Sequence, residues 1–115
     1  MREELGRITL KNEYTIYEIN GGYEVTSSDE KGQKFSQFFL NSIVEEGFQE
    51  IPGGDWKVDE VASMLHSISE QSNWPINYGY KFRYFVQGIL LILVSLGRAE
   101  LCKEGRGFVY TVHGS

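Results

Sequence analysis

The side chains in this chain with the makings of chemistry are few. Cys102, His66 and His113 are its only thiol and imidazoles. His66 has no histidine or cysteine three or four residues away and His113 stands in the tail, so no zinc-binding set is spaced here. Lys103 beside Cys102 is the kind of neighbour that lowers a thiol pKa. Adjacent residues of a strand point to opposite faces, however, and Cys102 reads as a packing residue. Asp55, Asp59 and Glu60 cluster where a helix begins, where carboxylates suit the positive end of the dipole. The glycines of "NGG", "PGG" and "EGRG" lack the lysine spacing of a phosphate-binding loop. An enzyme is not expected, and neither a cofactor, a metal nor a small-molecule substrate is implied.

What remains is basic and aromatic. The stretch "NYGYKFRYF" interleaves Tyr78, Tyr80 and Tyr84 with Lys81 and Arg83. One reading is a platform on which bases stack while cations hold phosphates. The other is the start of an amphipathic helix that buries Phe82 and Phe85. Arg106, between Gly105 and Gly107, is either a phosphate contact or the solvated tip of a hairpin.

Charge sharpens this choice. The 115 residues carry a net charge of −5, which argues against a general polyanion binder. The distribution is uneven. Residues 1 to 54 hold five basic side chains against ten acidic ones, whereas from Tyr78 onward five basic residues face only Glu100 and Glu104. Any footprint for nucleic acid therefore belongs to the last third. The opening "MREELG" has no leader-like apolar stretch, and the run Ile89 to Val94 is far short of a bilayer span. A cytoplasmic, single-domain protein with no membrane association is expected over residues 1–115.

The elements that must position these groups follow from pattern. Residues 7 to 27 read as strands, with Asn20-Gly21-Gly22 supplying the positive φ angles of a tight hairpin. "SSDEKGQK" is a polar loop. From Ser36, the residues Phe39, Leu40, Ile43 and Val44 recur at helical spacing, with Ser36 as cap and Gly47 as stop. "FQEI" is a strand candidate and "PGGD" a turn. Val58, Val61, Ala62, Leu65 and Ile68 form the stripe of a second helix with Asp55 as its cap, and Trp74-Pro75 ends that pattern. A third helix runs through "YKFRYFVQGILLILVSLG". Phe82, Phe85, Val86, Ile89, Ile92, Leu93 and Leu96 lie on its broad apolar face, and Arg83, Tyr84, Gln87, Gly88, Leu91, Val94 and Ser95 lie opposite. Gly97 stops it, and "RAELCK" and "FVYTV" form a hairpin.

From Ser36 to Val112 this order, α-β-α-α-β-β, resembles the winged helix-turn-helix superfamily. The residues carrying the likeness are "WKVDEVASML", "FVQGILLILVSLGRAEL" and "CKEGRGFVYTV". The fold expected is thus α+β: a winged helix over residues 36–112 preceded by an antiparallel β-hairpin extension over 7–27. The resemblance implies that helix 3 enters the major groove and the hairpin touches phosphate. By position the nucleic-acid contacts would be Lys81, Arg83, Tyr84, Gln87, Lys103 and Arg106. Gly88, Leu91 and Val94, too apolar for a base-reading face, would meet either the N-terminal sheet or a second copy of the chain. The function expected is transcription-regulator-like binding of double-stranded DNA as a homodimer. The alternative is an adaptor that docks a protein partner.

Overall fold

The computed structural model describes residues 2–69 and 81–114. Four strands come first: β1 (Glu3–Thr9), β2 (Glu13–Ile19), β3 (Gly22–Ser28) and β4 (Lys34–Leu40). They pair antiparallel in chain order, each with its predecessor. The Asn20-Gly21 turn lies where the sequence places it, with Gly21 at φ 86° and Ile19 opposite Gly22.

β4 corrects a sequence expectation. Residues 36–40 were expected to open a helix capped by Ser36, and instead they extend the sheet. Their spacing satisfies both periods, because Phe35, Gln37 and Phe39 alternate with Ser36, Phe38 and Leu40 as well as a helical stripe would. The turn before them decides. Asp29 Oδ1 accepts the backbone N–H groups of Lys31 and Gln33, both at 2.9 Å, and reverses the chain onto β3. All seven residues of β4 then find partners there, from Ser28 opposite Lys34 to Gly22 opposite Leu40. Ser36 faces Thr26 across the ladder, their hydroxyls 3.3 Å apart.

The remainder comprises α1 (Asn41–Glu50), β5 (Gly54–Trp56), α2 (Val58–Ser69), α3 (Lys81–Ser95), β6 (Ala99–Glu104) and β7 (Gly107–Val112). A second antiparallel sheet has the order β5-β7-β6. Gly47 does not end α1; it is buried inside it, and Phe48–Glu50 belong to the helix rather than to a strand. Asp55 does not cap α2. It pairs with Thr111 on β7 and accepts that hydroxyl at 2.7 Å. Lys57 holds the cap position, and Glu60, the third residue of the helix, accepts its N–H at 2.8 Å, half of a capping box. Ile68 as a stripe residue, and the Trp74-Pro75 break, lie outside the described residues or side chains.

α3 is the axis of the molecule. It contacts every strand of the first sheet on one side, and α1, α2 and β6 on the others. Ile89 through Leu93 are all fully buried, as a helix that is apolar all round requires. Gly97 ends it at φ 78°. Its own N–H donates to Val94 and that of Arg98 to Leu93, the paired bonds of a Schellman turn. Among the described residues no helix is long and apolar enough to cross a membrane.

Candidate functional site

The residues expected to contact nucleic acid lie on two elements, the start of α3 and the β6–β7 hairpin, and are engaged differently. Arg83, in the first turn of α3, donates to Asp59 Oδ1 of α2 at 2.7 Å. Both partners of this pair are exposed, so the carboxylate competes with a phosphate for the cation only weakly. Lys81 opens α3, but its side chain lies outside the described residues, as do Tyr78 and Tyr80. Arg98 is also engaged: it bonds Glu45 of α1 at 2.8 Å and lies over the Phe48 ring. Lys103 and Arg106 are different. Both are exposed on the β6–β7 hairpin, and neither pairs with a carboxylate among the described residues.

The face of α3 expected to read bases is divided: Arg83 and Tyr84 at its start stay exposed, Tyr84 at 51%, and from Gly88 onward it turns inward. Tyr84, Gln87, Gly88, Leu91 and Ser95 form one stripe, and the four-stranded sheet lies across it. Leu91 is fully buried. At Gly88 the sheet comes so close that a Cβ built there would strike the Phe39 ring, with Cε2 at 2.9 Å and Cε1 at 3.2 Å. Phe39 in turn packs on Phe85, ring centres 5.5 Å apart. Farther along, Ser95 meets Gly6 of β1. Of the two occupants expected for Gly88 and Leu91, this is the N-terminal sheet of the same chain. Val94 is half-buried.

Where α3 emerges from beneath the sheet, its first turns leave a groove of about 440 Å³. Tyr14 of β2, Val25 and Ser27 of β3, and Phe35 and Gln37 of β4 supply one wall. Tyr84, Gln87, Gly88 and Leu91 of α3 supply the other. Among the described residues no charged side chain lines it. Its polar groups are neutral amides, hydroxyls and phenols, which suit a neutral or apolar occupant rather than a phosphate. Burial raises the pKa of Tyr14, while Asn12 and Gln87 pull weakly the other way. Behind the groove Tyr110 is fully buried, its hydroxyl lacks a hydrogen-bond partner among the described residues, and burial pushes its pKa far up. The Gln87 amide approaches that hydroxyl without closing a bond of good geometry, and its opposing pull is smaller than burial.

The feature that sequence reasoning missed is β4 itself. Phe35 is 60% exposed, Phe38 54% and Leu40 48%, on a strand that among the described residues pairs only with β3. The signal was legible in principle: "FSQFFL" is an uncharged, aromatic, alternating run after a polar turn. Among the described residues no group of three or more potential metal ligands forms, and Cys102 is an exposed free thiol. No family model, no curated protein and no solved structure matches the chain.

Proposed function

We propose that this chain is a protein-docking module that takes an extended segment of polypeptide along β4, with an apolar side chain entering the groove between β4 and α3. The observation that carries the reading is the exposed aromatic edge strand lying directly beside an uncharged groove. An edge strand offers unpaired backbone groups for strand addition, and a neighbouring pocket supplies selectivity for alternate side chains. Residues 41–112 are, in this reading, a winged-helix frame. The order α1-β5-α2-α3-β6-β7 and the strand order β5-β7-β6 support it. In this reading its third helix serves as core from Gly88 onward, where the N-terminal sheet packs on it.

Selection of phage-displayed random peptides on the protein tests this reading. Peptides with alternating apolar residues should emerge and shift amide resonances of β4 and the first turns of α3. Phe35→Ala should weaken them about tenfold, or roughly 1.4 kcal/mol. Failure to select any peptide, or binding that perturbs only other surfaces, removes the proposal.

One observation favours a second reading, double-stranded DNA held through the hairpin. Lys103 and Arg106 stand exposed and unpaired by carboxylates among the described residues. Two such cations give phosphate contact without base reading.

A further inference from the structure

The two edges of the first sheet are built differently. β1 carries Glu3, Glu4 and Arg7, and its register slips between Glu4 and Gly6. Charges and a bulge are the usual means by which a sheet edge is kept from pairing with another chain. β4 has neither. From Phe35 to Leu40 it holds no charge, no proline and no glycine, and its ladder with β3 runs without a register shift. One edge is protected and the other is left able to pair.

The outer face of the sheet narrows the possible occupant. Thr15, Tyr17, Glu24 and Thr26 cover β2 and β3 there, and Tyr17 lies under the Arg2 guanidinium at 4.0 Å. Exposed apolar surface on that face is concentrated on β4, in Phe38 and Leu40. A partner that stacks on the whole face would bury threonines and a glutamate. A partner beside the edge would cover the aromatics.

We infer that a second copy of this chain occupies this edge, its β4 pairing antiparallel with the first to join two four-stranded sheets into one of eight strands. The inference rests on the docking reading above and names the partner of that site. A two-fold axis at Gln37, the middle of the seven-residue strand, pairs its whole length. Phe35 of one copy then lies opposite Phe39 of the other, and Ser36 opposite Phe38. The two directly opposed Phe35–Phe39 pairs are favourable aromatic cross-strand neighbours. The strand also suits self-pairing electrostatically. Lys34 is its sole charge, and in this register it lies at the far end from its copy.

The area is sufficient. With Phe35 60% and Phe38 54% exposed, and roughly 200 Å² per phenylalanine, the rings alone offer on the order of 230 Å² per copy. Leu40 and the strand backbone, counted on both copies, bring the upper bound to roughly the 1,000 Å² at which specific interfaces begin, as suits a weak, reversible contact. This predicts a dimer that dissociates at micromolar concentration rather than an obligate one.

Sedimentation equilibrium of the whole chain, reduced so that Cys102 cannot cross-link, is the test. The mass should rise from 13.2 kDa toward twice that value as concentration increases from 1 to 200 µM. Phe38→Lys, an outward substitution, should shift the midpoint at least tenfold while the circular dichroism spectrum is unchanged. Should that variant fail to fold, amide exchange of the native chain still decides, since residues 35–39 must slow as concentration rises. A monomer throughout the range overturns the second copy as partner, and peptide selection then judges the docking reading separately. A dimer unaffected by Phe38→Lys, with no concentration-dependent protection in β4, overturns it equally by placing the contact elsewhere.

Discussion

Replacing Gly88 by alanine sets two effects against each other, and their sum depends on where the sheet lies. Alanine is favoured over glycine inside a helix by about 1 kcal/mol. On an open face of α3 that gain would appear undiminished, raising the melting midpoint by about 4 °C for a domain of this size. In the structure the new methyl meets the Phe39 ring, with Cε2 at 2.9 Å and Cε1 at 3.2 Å. Phe39 is 1% exposed and packed on Phe85, so the ring has nowhere to turn. Forcing a methyl into a filled core costs typically 1–3 kcal/mol. The clash therefore outweighs the propensity gain by on the order of 1 kcal/mol, and the midpoint should fall by about 4 °C. A thermal melt distinguishes a rise from a fall of that size. The cycle with Phe39→Leu adds a second check. In that background the obstructing ring is gone, and Gly88→Ala should become neutral or stabilising, a coupling of roughly 1–2 kcal/mol. A midpoint that rises in the native background, or effects that simply add, would refute the placement of β4 on α3.

Other expectations follow from the same geometry. Tyr110→Phe removes a buried hydroxyl without a hydrogen-bond partner, so chemical denaturation should show unchanged or higher stability, by up to about 1 kcal/mol. Tyr110 and Tyr14 hold their protons above the ordinary phenol value of 10.0 because they are buried. Their contribution to stability is present below pH 10 and lost as pH rises beyond it, since the unfolded phenols ionise first. Urea midpoints taken above pH 10 should fall less steeply in Tyr110→Phe than in the native chain. Arg83→Ala breaks an exposed ion pair with Asp59 and should cost under about 1 kcal/mol in a urea titration. For the hairpin, affinity for random duplex DNA should fall with salt at a logarithmic slope near −2, as two phosphate contacts require. Lys103→Ala with Arg106→Ala should abolish it. A slope far steeper, or one the double variant leaves alone, would put the contacts elsewhere.

Much of the frame was legible from local rules. Asn20-Gly21 dictated a hairpin, Gly97 a helix stop, and Gly105 a turn between two strands, because each requires a backbone conformation that few residues tolerate. The stripes of α2 and α3 were legible because a helix must bury whatever repeats on its face. Residues 36–40 were not. Phe39, Leu40, Ile43 and Val44 fit a helix as well as Phe35, Gln37 and Phe39 fit a strand, and only pairing with β3 broke that tie. Helix caps were likewise undecided, since Asp55 and Glu60 both suit a helix start and the approach of Thr111 took Asp55 for the sheet.

The candidate site divides along the same line. Residue types alone determined that the chain has no metal-ligand spacing, that its cations gather late, and that its third helix is apolar on both faces. Which side of that helix meets solvent is a question of long-range packing. The first forty residues settle it by closing over Gly88 and Leu91, turning that part of the face into core while Arg83 and Tyr84 at its start stay exposed. The same closure leaves the last strand of the covering sheet with an open side. Hydrophobic periodicity specifies that a surface must be buried but not by what, and that choice belongs to contacts between residues far apart in the chain.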